Sequence, residues 1–95
     1  MHCDELYFTI HAVRRMFERG IQRTAVEKVI ATGEVIKEYP EDKPFPSFLM
    51  LGHSGGAIFH VIVATDVASG LCHVITVYTP DNVIWYDDGK TRRQK

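Results

Sequence analysis

The sequence predicts an α+β domain: two N-terminal helices packed on one face of a mostly antiparallel sheet of about four strands. Three observations predict it. Apolar residues recur at three- and four-residue steps up to Gly33, then give way to extended Val- and Ile-rich runs. The helices come first and the strands follow in a block, which points to segregated layers rather than to an alternating parallel sheet. Ninety-five residues fill one domain with one core. That single domain is expected to span 1–95, with its core at about 8–86 and a basic tail at 87–95.

The first helix is predicted over 10–19. Thr9 stands before it as an N-cap and Gly20 after it as a left-handed stop. Ile10, Val13, Met16 and Phe17 are expected to form its buried stripe. His11, Arg15 and Arg19 lie off that stripe in a row at four-residue steps. In the second helix, "TAVE" reads as a capping box, with Thr24 as N-cap and Glu27 three residues on. Ala25, Val26, Val29 and Ile30 supply its apolar face, and Gly33 ends it. The short loop between the two suits an antiparallel helical hairpin.

"EVIKEY" reads as a short strand at or near a sheet edge. "PEDKPFP" cannot continue it, because its prolines remove donors and fix φ. "SFLML" resumes extended structure and "GHSGG" turns. "AIFHVIVAT" and "LCHVITVYT" are the strongest strands, apolar on both faces and therefore central, with "DVASG" as the hairpin between them. "DNVIWYDD" fits either a short strand or a turn of helix.

With 45% hydrophobic and 24% charged residues, the chain is too apolar to be disordered. No apolar run approaches the ~18 residues of a membrane span. The start lacks a basic stretch followed by an apolar one, so no secretory signal is expected and the cytoplasm is the default location. Cys3 and Cys72 fit no zinc spacing and no dense disulfide framework. Cys72 is expected as a small buried apolar residue. The net charge of −1 does not mark a nucleic-acid binder. The basic residues are nonetheless concentrated on the first helices and in "KTRRQK", and a local cationic surface attracts polyanions whatever the total.

Strand parity sorts the polar groups. On the third strand Phe59, Val61 and Val63 share one face, and Ile58, His60 and Ile62 the other. On the fourth, Leu71, His73, Ile75 and Val77 share a face, and Cys72, Val74, Thr76 and Tyr78 the other. If the helices cover the more apolar faces, His60, Thr76 and Tyr78 look out of the opposite one. A histidine titrates near neutrality and serves as a general acid or base. Arginines offer forked donors to phosphate oxygens and stabilise the extra charge of a phosphoryl transition state. A tyrosine stacks on a base or donates a proton. His11, Arg15, Arg19, His60, Thr76 and Tyr78 thus form a kit for metal-independent RNA cleavage by an attacking ribose 2′-hydroxyl. The plainer reading makes His60 and His73 hydrogen-bonded structural residues and the helix row a solvated ridge. No metal-ligand spacing, glycine-rich phosphate loop or nucleophile elbow occurs, and no cofactor is expected.

"FTIHAVRRMFERGI", "VEKVIATGEVIKEYP", "PFPSFLMLG", "FHVIVA" and "VITVYTPD…W" together resemble a bacterial family known as a domain of unknown function, numbered four-two-five-eight. The resemblance runs over about 8–86. That family looks like the RelE- and BrnT-type toxins of type II toxin–antitoxin pairs, which are metal-independent ribonucleases of a small RNase-like fold. The resemblance implies a RelE-like fold, RNA as substrate, and a cognate antitoxin, often of zinc-finger type; the near-neutral charge departs from strongly basic RelE-type toxins, and recognition on the ribosome or a milder activity would reconcile the two. It matches His11, Arg15 and Arg19 to the helix motif, His60 to the "HV" strand, and Thr76 and Tyr78 to the "TVY" strand. The expected function is a toxin-like endoribonuclease. His11 or His60 would be the acid/base, Arg15 and Arg19 the phosphate clamp, Thr76 a further substrate contact, and Tyr78 the base platform or proton donor. The alternative is a non-enzymatic module that binds a partner protein through its sheet face with Tyr78, Trp85, Phe45 and Phe48.

Overall fold

The computed structural model describes residues 1–93. It is an α+β fold with the order β1 (Glu5–Phe8), α1 (Ile10–Arg19), α2 (Arg23–Thr32), β2 (Glu34–Tyr39), β3 (Ser47–Ser54), β4 (Ala57–Asp66), β5 (Leu71–Tyr78). The five strands form one mixed sheet in the order β1-β5-β4-β3-β2. The sheet therefore has one strand more than the sequence predicts. The addition, β1, is four residues long and pairs in parallel with Leu71–Val74. Its partner is distant in sequence, so no local pattern announces it. β2 is an edge strand, as expected. Among the described residues no helix is long and apolar enough to cross a membrane.

Thr9 makes the turn from β1 into α1. Its N–H donates to the Val74 carbonyl at 3.1 Å. Its hydroxyl donates to the Ile75 carbonyl at 3.0 Å and accepts from Ala12 N at 3.1 Å. One residue thus caps α1 and pins its start to β5. Gly20 closes the helix at φ 65°, a conformation that favours glycine.

The helix boundaries of α1 match the prediction, but its buried face does not. Ala12 is fully buried, whereas Ile10 is 76% and Phe17 88% exposed, and Val13 is also exposed. Held so close to β5 by Thr9, the helix turns its smallest side chain inward and carries Ile10, Val13 and Phe17 outside. The capping box is also corrected. α2 begins two residues earlier, at Arg23, after Gln22 as N-cap, with no side-chain cap. Ile21 is buried and its N–H bonds to Met16 O at 2.8 Å, so the chain re-enters a helix at once. Thr24 then lies inside the helix, and Glu27 pairs with Arg23 at 3.2 Å.

The core lies between the helices and one sheet face. Val26, Val29, Met50, Val61, Val63, Val74 and Val77 are its buried centre. A bulge in β5 sets what faces the other way. Ile62 pairs with Thr76 and Val63 with Val74, which leaves Ile75 as an extra residue. Strict alternation would place Thr76 and Tyr78 beside Cys72 and Val74. The bulge flips them to the back face, where His60 pairs with Tyr78.

Cys72 is buried, yet it is not a free apolar residue. It forms a disulfide with Cys3, with the Cα atoms 5.8 Å apart. The two lie 69 residues apart in sequence, and only the pairing of β1 with β5 brings them together.

After Tyr78 the chain folds over the back face. Pro80 and Gly89 are buried. The N–H groups of Ile84 and Trp85 donate to Asp81 O at 2.9 and 2.8 Å. Trp85 bridges to Arg92, and Lys90 reaches Glu34 of β2 at 3.1 Å. "DNVIWYDD" is thus a turn followed by an isolated bridge. Residues 87–93 of the basic segment belong to this cap; its last two residues, Gln94 and Lys95, lie outside the described residues.

Candidate active site

The site forms where β5 outruns its neighbour. β1 pairs with β5 only as far as Val74, so the outer side of residues 75–78 has no strand beside it. α1 passes along this free edge and the 79–85 segment closes it from the back. Between them lies an open cleft of about 540 Å³, lined by Arg15, Arg19, Thr76, Tyr78, Thr79, Asp81, Ile84 and Trp85. Four of the six residues singled out in the sequence, Arg15, Arg19, Thr76 and Tyr78, meet there. Arg15 is half-buried and Arg19 exposed. The ion pairs among the described residues are His2–Asp4, Arg23–Glu27 and Lys90–Glu34, so both cleft guanidinium groups lack a carboxylate partner there. The carboxylate that shares the cleft, Asp81, accepts from Val83 N at 2.8 Å within its own turn.

His60 stands behind Tyr78 and is fully buried. Its Nε2 lies 2.6 Å from the Gly89 carbonyl and its Nδ1 3.2 Å from the Tyr78 hydroxyl. A carbonyl only accepts, so Nε2 carries the hydrogen and donates. In the neutral ring Nδ1 is then the acceptor, and the Tyr78 hydroxyl donates to it. Trp85 sits edge-on against the imidazole, with ring centroids 4.7 Å apart. Burial holds the His60 pKa below its ordinary 6.5, against a smaller upward pull from the Gly89 carbonyl. Burial, and then the neighbouring Tyr39, push the Tyr78 hydroxyl above 10.0. Both groups are therefore neutral at pH 7. Tyr78 and Trp85 stand between His60 and the cleft, and the hydrogen bond to Tyr78 is its polar link to it.

Gly89 makes this arrangement possible. At φ 66° it favours glycine, and a Cβ there would lie 2.6 Å from Ile58 Cδ1. Only a bare backbone brings the carbonyl down onto the imidazole.

His11 lies one turn before Arg15 on the same helix, exposed and outside the cleft lining. His73 is held between Tyr7, edge-on at 5.6 Å, and Phe45, stacked at 5.4 Å. His2 pairs with Asp4, and His53 is exposed near the end of β3. Among the described residues no three His, Cys, Asp or Glu side chains gather as a metal-ligand set. Asp81, Ile84 and Gly89 are the site residues that sequence reasoning does not single out, and Trp85 is named there only for a partner-binding face. Trp85 carried the one available signal, a lone tryptophan just after the last strand. The aromatic set expected on the sheet face is divided: Phe48 packs with the helix-side core and Phe45 on His73.

A family model described as a domain of unknown function, DUF4258, matches residues 8–79. Searches of curated proteins and of solved structures give no match. The chain belongs to the DUF4258 family, and the matched stretch runs from the last residue of β1 to the rim of the cleft.

Proposed function

We propose that this DUF4258 protein is a toxin-like, metal-independent endoribonuclease whose reacting phosphate sits between Arg15, Arg19 and Tyr78. One observation carries the reading: two arginines without acidic partners share an open cleft with a tyrosine hydroxyl backed by a buried, neutral imidazole. In the reaction, the ribose 2′-oxygen bonds to phosphorus and the bond from phosphorus to the 5′-oxygen breaks. Tyr78 Oη takes the 2′-hydroxyl proton while its own proton passes to His60 Nδ1. The imidazolium so formed has both N–H groups paired, to Gly89 O and to Tyr78. The relay then runs back, and Tyr78 delivers a proton to the departing 5′-oxygen. The products are a 2′,3′-cyclic phosphate and a 5′-hydroxyl, with no net change in the protein. Arg15 and Arg19 stabilise the charge on the phosphoryl oxygens, and Thr76 contacts the substrate beside them. His60 is a positioning and relay residue in this scheme, and His11 stands outside it.

The same reading includes a RelE-like fold, action on RNA in the cytoplasm or on the ribosome, and neutralisation by a cognate antitoxin, of zinc-finger type in keeping with the family resemblance. Cytoplasmic thiols are kept reduced, so the Cys3–Cys72 pair is tested in both states. Purified protein, oxidised and reduced, should cut single-stranded RNA in EDTA and leave cyclic phosphate ends. Arg15→Ala with Arg19→Ala, and Tyr78→Phe, should each lower the rate by about 100-fold or more. Wild type without cleavage, or full cleavage by Tyr78→Phe, would overturn the reading.

A partner-binding role draws on a different surface. Ile10, Val13 and Phe17 form an exposed apolar ridge on α1, and such ridges mark protein contacts. That observation moves the alternative from the sheet face to α1.

A further inference from the structure

The cleft does not end at Tyr78. A second hollow of about 250 Å³ opens on its far side, and Tyr78, Ile84 and Trp85 line both. The remaining walls of the second hollow are Lys37 and Tyr39 of β2, Leu49 of β3, and Arg92 of the cap. Lys37 Nζ lies 5.5 Å over the Tyr39 ring and Arg92 Cζ 6.0 Å over Trp85. Two hollows with a shared wall, cations at both outer ends and aromatic rings between them describe one track across the back of the sheet. It runs from β5 to β2, three strand spacings or roughly 14 Å. Neither Lys37 nor Arg92 is in an ion pair among the described residues.

We infer that Lys37 and Arg92 form a second phosphate subsite, so that the protein grips a single strand of RNA at two phosphates with nucleotide surface laid along Trp85 and Tyr39. A cationic groove that tracks a backbone past aromatic rings is how single strands are held without sequence readout. The inference rests on the nuclease reading for its first phosphate, at Arg15 and Arg19. It adds a length requirement that the first cleft alone does not have. It also explains how a chain of net charge −1 could hold a polyanion, since the four cations that matter border one groove.

The test is fluorescence anisotropy on the full chain with two uncleavable 2′-O-methyl probes, a dinucleotide and an octanucleotide. Wild type should bind the octanucleotide about tenfold more tightly. In Lys37→Ala with Arg92→Ala the ratio of the two affinities should fall to about one. The salt slope of octanucleotide binding should drop by about 0.7, the share of one phosphate contact on a single strand. Lys37→Arg with Arg92→Lys, which keep both charges, should restore the ratio. A double-alanine variant with the wild-type ratio and slope would overturn the second subsite and leave the nuclease reading standing. If neither probe binds wild type and RNA is not cut, the nuclease reading falls and the groove with it.

Discussion

The two faces of this sheet are closed by different means. The helix side is sealed by α1 and α2 over an apolar layer of Val61, Val63, Val74, Val77 and Met50. The back is closed by an irregular segment, residues 79–93, that stands on a buried imidazole, a glycine carbonyl and a tryptophan edge. Apolar burial needs no orientation and tolerates repacking. The polar side needs each donor matched to an acceptor, and any unmatched group is costly. The difference teaches where to look for each property. Stability should respond to changes on the helix side, and chemistry to changes on the back.

The largest effect expected is from the disulfide, which joins the N-terminal segment to the helix-side core. A crosslink that closes a loop of this size contributes on the order of 4 kcal/mol by chain entropy. Urea unfolding with and without dithiothreitol should show a loss of that order. A loss below about 1 kcal/mol would mean that the helix side does not depend on it. Met50→Ala comes next. Met50 is fully buried, and its truncation should cost about 3 kcal/mol while the remaining folded fraction keeps whatever cleavage rate the nuclease proposal gives the wild type.

Tyr78→Phe sharpens the contrast. It strips His60 Nδ1 of its donor and should cost only about 1 kcal/mol, yet, on the nuclease proposal, abolish most cleavage. If it destabilises as much as Met50→Ala, the division between the faces fails. A pH series probes the same network. The neutral form of His60 is favoured by folding, because its folded pKa lies below the unfolded 6.5. Its contribution is fully present above pH 6.5 and is lost as pH falls from there through the lowered folded value. Unfolding midpoints measured from pH 7.5 downward should therefore decline more steeply in wild type than in His60→Gln. Equal slopes would show that His60 is not held neutral. The smallest effect belongs to a surface pair remote from both faces' chemistry: Glu27→Gln breaks the exposed Arg23 contact and should shift stability by about 0.3 kcal/mol.

Much of this was legible from local pattern. Thr9, Gly20 and Gly33 bound their helices, and the Val- and Ile-rich runs mark β4 and β5 as inner strands with β2 at an edge. What was hidden depends on distant partners. β1 is too short to be recognised without β5. The disulfide follows from that pairing. The exposed ridge of α1 follows from Thr9 reaching Val74 and Ile75, so a stripe of helical period there is not a buried one. Arg15, Arg19, Thr76 and Tyr78 were readable as a set by residue chemistry. The parity of Thr76 and Tyr78 was reached without the bulge at Ile75 that produces it. His60 reads as a polar group looking out of the face away from the helices; that it is buried there, on the Gly89 carbonyl, does not show, because nothing in "DDGK" announces a carbonyl delivered onto an imidazole.

The segment that covers His60 follows every strand in chain order. Frame and reactive geometry are thus written in separate stretches of chain: residues 1–78 carry all five strands, and 79–93 supply the groups that hold His60. On the nuclease reading, substitutions in the second stretch can retune reactivity without redrawing the first.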